Sequence, residues 1–64
     1  DEYLTYLKLA ESMLKENAVV VADNAGVLAE AMDDYLDYVR NSGNYRSENF
    51  QVGEDALEVS VKLK

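Results

Sequence analysis

The five consecutive apolar residues Ala18-Val19-Val20-Val21-Ala22 constrain the fold more than any other stretch of this chain. The run is short, largely β-branched and follows Asn17, so it predicts a strand. Its side chains are apolar on both faces, a composition suited to a strand covered on both sides. On either side of it the apolar spacing is helical. Upstream, Tyr3, Tyr6, Leu7, Ala10, Met13 and Leu14 recur at intervals of three and four, with Lys8, Glu11 and Lys15 largely off the stripe, which predicts a first helix over 3–14. Downstream, Asp23-Asn24-Ala25-Gly26 reads as a turn, and Asn24 as the N-cap of a helix carrying Leu28, Ala31, Met32, Tyr35, Leu36 and Val39. That helix ends near Asn41-Ser42-Gly43, where Gly43 suits the left-handed conformation of a C-terminal cap.

Beyond Gly43 the period changes to two. Glu48, Phe50 and Val52 face one way in a strand from Arg46 onward, and Leu57, Val59, Val61 and Leu63 alternate with Glu58, Ser60, Lys62 and Lys64. Gly53-Glu54-Asp55 is the short hairpin connection between them. The order is helix, strand, helix, strand, strand. Strands that flank a helix are expected to run parallel through a right-handed crossover, whereas the last two form an antiparallel hairpin, so the chain is an α/β domain.

Length and charge remove several functions. At 64 residues the chain has room for one domain, and one that buries only about 60% of the surface its unfolded form exposes. Hydrophobic residues at 48% against 30% charged are a folding composition. There is no cysteine to staple the core or ligate a metal, and no histidine to act as general base. With 13 acidic and 6 basic residues the net charge of −7 repels a phosphate backbone, which argues against nucleic-acid binding. No apolar run approaches the roughly 20 residues of a membrane span, and no signal-like segment opens the chain. A soluble, cytoplasmic protein with no membrane partner is expected.

The run Val19-Val20-Val21-Ala22-Asp23-Asn24, preceded by a helix opening Asp1-Glu2-Tyr3-Leu4 and followed by another helix, resembles the fifth strand of catechol-type, metal-dependent O-methyltransferases of the class I, S-adenosylmethionine-dependent fold. The likeness continues through Tyr35-Leu36-Asp37-Tyr38-Val39-Arg40, the Asn41-Ser42-Gly43 exit and the closing Asp55-Ala56-Leu57-Glu58-Val59-Ser60-Val61-Lys62-Leu63, and so covers essentially the whole chain. It implies the C-terminal part of a Rossmann-like sheet, with residues 1–64 as one domain. Its strands are then numbers five, six and seven of the order 3-2-1-4-5-7-6. The expected architecture is a two-layer α-β-α-β-β domain with a three-stranded mixed sheet of order 1-3-2, the last strand antiparallel, and both helices on one face. Two departures stand out: Lys15-Glu16-Asn17-Ala18 replaces a glycine-rich turn, and Ala56 stands where the family commonly has glycine. Both restrict the unfolded chain and stabilise wherever the local conformation permits, which hints at engineering.

The resemblance also implies chemistry. In that family an Asp-Asn pair supplies oxygen ligands to a divalent cation, usually magnesium, and by position Asp23 and Asn24 are that pair. The family's third ligand, an aspartate ending strand four, has no counterpart here. Nor have the glycine-rich loop and acidic residue that hold S-adenosylmethionine. On the residues alone, Asp23 ends a strand and Asn24 caps a helix, ordinary preferences that need no metal. The isolated chain is therefore expected to use neither cofactor and to have no catalytic residues. Tyr3, Tyr6 and Tyr35 read as core or core-rim residues. Glu30, Asp33, Asp34 and Asp37 read as a solvated acidic face. Ser12, Ser42, Ser47 and Ser60 have no histidine to activate them.

Three readings follow: a fragment or engineered mini-domain of an O-methyltransferase fold without catalysis of its own, one part of a complete metal-dependent O-methyltransferase, and an acidic protein-binding module. Strand 18–23 also predicts association. Without its neighbour it is a valine-rich edge with no proline, lysine or inward charge, so a homodimer through it, or through a face with Val residues beside Glu58, Ser60 and Lys62, is expected.

Overall fold

In the computed structural model, which describes residues 1–23, 25–26 and 28–64, the elements are α1 (Glu2–Glu11), β1 (Val19–Ala22), α2 (Asp33–Asn41), β2 (Tyr45–Val52) and β3 (Asp55–Lys62). Helix α1 begins where Asp1 Oδ1 accepts from Leu4 N at 2.7 Å, and it ends three residues short of the expected boundary, at a turn through Ser12 and Met13. Gly43 takes the left-handed conformation (φ 85°) after α2, as its position predicts. The two-residue loop Gly53-Glu54 joins β2 to β3, with Val52 opposite Asp55.

Helix α2 starts nine residues later than the expected N-cap. Asn24 lies outside the described residues, and Leu28, Ala31 and Met32 belong to a series of turns, with Met32 N bonded to Leu28 O and Ala29 O. The cause is tertiary. Ala25 N donates to Ala56 O at 2.9 Å and Gly26 N to Asp55 Oδ1 at 3.1 Å, which ties this stretch to the start of β3 instead of the helix axis. Met32 then occupies the N-cap without a capping oxygen. Asp1 supplies one from a distance: its Oδ2 accepts from Tyr35 N at 3.0 Å, so one carboxylate caps the first turns of both helices.

The sheet order is β1-β3-β2. Strand β3 is antiparallel to both neighbours, with Val20 opposite Ser60 and Ser47 opposite the same Ser60, so β1 and β2 run parallel to each other on either side of it. Both helices lie on one face. Leu7 of α1, Ala22 of β1, Met32 before α2, Tyr35, Leu36 and Val39 of α2, Tyr45 of β2 and Ala56 of β3 form a single buried cluster there.

The faces of β3 are the reverse of the expectation that Glu58, Ser60 and Lys62 lie on the side away from the helices. Ala56, Glu58 and Ser60 point under the helices, Glu58 and Ser60 with no exposed surface, while Leu57, Val59 and Val61 lie half-buried on the open side. Alternation shows that a strand has two faces but does not say which is inside. Here the side chains around Glu58 decide it. Arg40, in the last turn of α2, grips its carboxylate from Nε (3.0 Å) and Nη2 (2.8 Å); Ser47 Oγ (2.6 Å) and Asn49 Nδ2 (3.0 Å) donate from β2. Ser47 Oγ also lies 2.7 Å from Ser60 Oγ. Burial alone would raise the Glu58 pKa, but the hydrogen bonds from Arg40, Ser47 and Asn49, with the Arg40 charge, outweigh it and hold the carboxyl at about 2. The same burial, with the Glu58 charge nearby, pushes the Tyr35 hydroxyl up, partly offset by Ser60.

Because the folded pKa of Glu58 lies below the ordinary 4.5, its network stabilises fully above about pH 4.5, and that contribution is lost as pH falls toward 2. Urea melts between pH 2 and 7 should show this slope, and Glu58→Gln should flatten it. Arg40→Met, which strands the charge under the helices, should cost about 3 kcal/mol at pH 7.

The turn before β1 carries a second test. Asn17, within the stretch Lys15-Glu16-Asn17-Ala18, has φ 70°, a left-handed conformation that strains an L-side chain and does not meet the condition under which a residue other than glycine would stabilise the turn. Thermal unfolding should therefore rank Asn17→Gly at or above the parent chain, and Asn17→Ala about 1 kcal/mol below it.

Candidate functional site at the end of the first strand

Strand β1 forms one edge of the sheet. Lys62 N donates to Ala18 O at 2.9 Å, and in this register Ala18, Val20 and Ala22 turn their backbone groups toward β3. The N–H and C=O of Val19 and Val21 consequently point away from β3, along the outer edge. Beside that edge runs a groove of about 350 Å³ between α1 and β1. Tyr3, Tyr6, Leu7 and Leu14 line one wall, and Val20, Val21 and Ala22 line the other. Asp23 closes the groove at the carboxyl end of the strand, exposed to solvent.

The wall formed by α1 is held in place by polar contacts on its far side. Glu11 accepts from Tyr45 Oη at 2.8 Å and from Tyr38 Oη at 2.9 Å, and Lys8 Nζ sits 5.1 Å from the centre of the Tyr38 ring. Burial, then the bond to Glu11, raises the Tyr45 hydroxyl pKa, so this phenol stays a donor to α1 at any physiological pH. Tyr3 packs edge-on against Tyr35, with ring centres 6.0 Å apart. Of the tyrosines expected in or around the core, Tyr35 is buried and Tyr3 half-buried, whereas Tyr6 is 64% exposed and lines the groove.

Asp23 stands where the sequence places a metal ligand, while Asn24 lies outside the described residues. Among the described residues no three acidic, histidine or cysteine side chains converge as a metal site. Among the described residues, the single carboxylate of Asp23 falls short of the near-octahedral oxygen shell that magnesium demands. Glu30, Asp33, Asp34 and Asp37 are exposed, with Asp33 and Asp34 in the first turn of α2, where their charge complements the helix dipole. Sequence reasoning missed the Asp1 carboxylate shared by two helices and the Glu58 network. The only forewarning of the latter was an arginine in the last turn of α2 and a glutamate in the strand after it.

The amino-acid sequence that builds this edge strand and its flanking helices has a relative among known proteins. The chain is similar to the C-terminal portion of a catechol O-methyltransferase. It is 42% identical to catechol O-methyltransferase B of Danio rerio over 71 residues, which take in 98% of this chain and 26% of the relative. The chain thus spans about a quarter of that relative's length. No protein-family model and no solved structure matches it. Among the described residues no helix is long and apolar enough to cross a membrane.

Magnesium should stabilise the chain very little. For a cation at or below its dissociation constant the gain is at most about 0.4 kcal/mol. Melting curves at low millimolar magnesium should overlay those without it, and a rise of many degrees would show a complete site.

Proposed function

We propose that the chain is the C-terminal unit of an O-methyltransferase fold and has no catalysis of its own, its role being to carry Asp23 and Asn24 to the edge of a larger sheet. The observation that supports this most is the edge itself. The outward backbone groups of Val19 and Val21, the apolar groove beside them and Asp23 at the strand end all lie on the side where β1 lacks a neighbour. A strand added there parallel to β1 would meet open backbone partners and bring its own carboxyl end beside Asp23. The ligands that this chain lacks would then come from that strand, and the methyl donor would bind on the added half. When bound, magnesium would orient the hydroxyls of the acceptor, with Asp23 and Asn24 supplying two of its oxygen ligands. Asp23 bears its charge toward solvent at the strand end. The tyrosine-lined groove would exclude water from the seam.

Complementation tests the proposal. The 64-residue chain alone should transfer no methyl group from S-adenosylmethionine to catechol and give no saturable heat on titration with the cofactor. Mixed with a separately produced N-terminal portion of the Danio rerio relative, it should restore magnesium-dependent transfer, and Asp23→Ala should abolish that restored activity. Stoichiometric cofactor binding by the chain alone would overturn the proposal, and so would a mixture that binds but has activity indifferent to Asp23.

A further inference from the structure

The sheet face turned away from the helices is apolar at its centre. Val19 and Val21 are 61% and 57% exposed, and Phe50 48%. Between them run the half-buried Val59 and Val61 of β3, paired with Val21 and Val19 on one side and with Glu48 and Arg46 on the other. This corrects the expectation that the valines would lie beside Glu58, Ser60 and Lys62, because Glu58 and Ser60 are inside. The strong negative charge of the molecule is largely absent from this face. Of the acidic strand residues only Glu48 and Asp55 take this side, and Asp55 is engaged with the amides of Gly26 and Ala56.

We propose that this face binds a second copy of the chain, sheet against sheet, about a two-fold axis that crosses the strands at the level of Val20, Ser60 and Ser47. Those three residues stand abreast in the register. Residues one step to either side of that level then exchange places across the axis. Val19 meets the partner's Val21, Val61 meets the partner's Val59, and Arg46 meets the partner's Glu48. Three steps out, Leu57 meets the partner's Leu63, which continues β3 through the bond from Leu63 N to Asn44 O. The valines and leucines of the face therefore fall on one another, Phe50 falls at the level of the partner's Asn44, and the face's one arginine falls on its one unengaged strand carboxylate.

The area sets the strength. Strands about 4.8 Å apart, rising about 3.3 Å per residue, give a footprint on the order of 300 Å² per copy. That is the size of an ordinary monomer's largest apolar patch and less than the roughly 800 Å² per partner of a standard interface, so the pairing of Arg46 with the partner's Glu48 carries the specificity. The dimer is weak, with a dissociation constant tighter than about 1 mM and well above nanomolar. It uses the open face, not the outer edge of β1, and stands independently of the methyltransferase reading.

Sedimentation equilibrium up to millimolar concentration tests it, with circular dichroism confirming that each variant is folded. The parent chain should approach twice the monomer mass. Arg46→Glu and Glu48→Arg should each raise the dissociation constant about tenfold, and the double charge swap should restore it. Val21→Lys, on the exposed face, should leave a monomer. The proposal is overturned by a parent chain that stays monomeric at millimolar concentration, or by a charge swap that fails to rescue. It is equally overturned by a dimer that survives Val21→Lys but is lost in Val19→Pro, which removes an outward N–H and would place the contact at the strand edge.

Discussion

The contact between Arg40 and Glu58 organises this molecule. A carboxylate with no exposed surface at the middle of the central strand needs a cation and several donors, and α2 brings the guanidinium while β2 brings Ser47 and Asn49. Those requirements fix the side of β3 that faces the helices and the position of α2 along the sheet. They also align β2 against β3, since a slip of one residue would turn Ser47 and Asn49 to the open side. An apolar residue at 58 could bury at less desolvation cost, but it would not distinguish between the two faces of an alternating strand.

What the open face looks like follows from this. Once Glu58 and Ser60 are inside, the valine and leucine positions of β3 must be outside, where they join Val19 and Val21 of β1 and Phe50 of β2. A two-layer domain of this size thus spends its most polar strand face on its core and presents its most apolar face to the surroundings. Such a face, together with the outer edge of β1, is what both the proposed larger sheet and the proposed second copy would cover.

Around that centre the chain is held by long-range polar contacts at its periphery. Asp1 caps both helices, and Glu11 accepts from two tyrosines on different elements. These contacts compensate for local weaknesses. Helix α2 has no capping side chain at Met32 and takes its cap from Asp1 across the fold, whereas α1 is capped by the same Asp1 in its own N-cap position. With no cysteine in the chain there is no disulfide, and packing and these shared carboxylates hold the fold.

The sequence by itself determined the order of elements, the two turns at Gly43 and Gly53, and the likeness to the C-terminal portion of an O-methyltransferase. With that likeness came the strand order and the placement of Asp23 at a strand end. Local chemistry suffices for these: periodicity shows the type of element, and glycine shows where a left-handed residue is needed. Only the tertiary structure decided where α2 begins, because the bonds from Ala25 and Gly26 to β3 hold back a segment whose own pattern is helical. It also decided the facing of β3. An alternating strand is symmetric in its two faces until a partner distinguishes them, and here that partner, Arg40, lies 18 residues away in sequence.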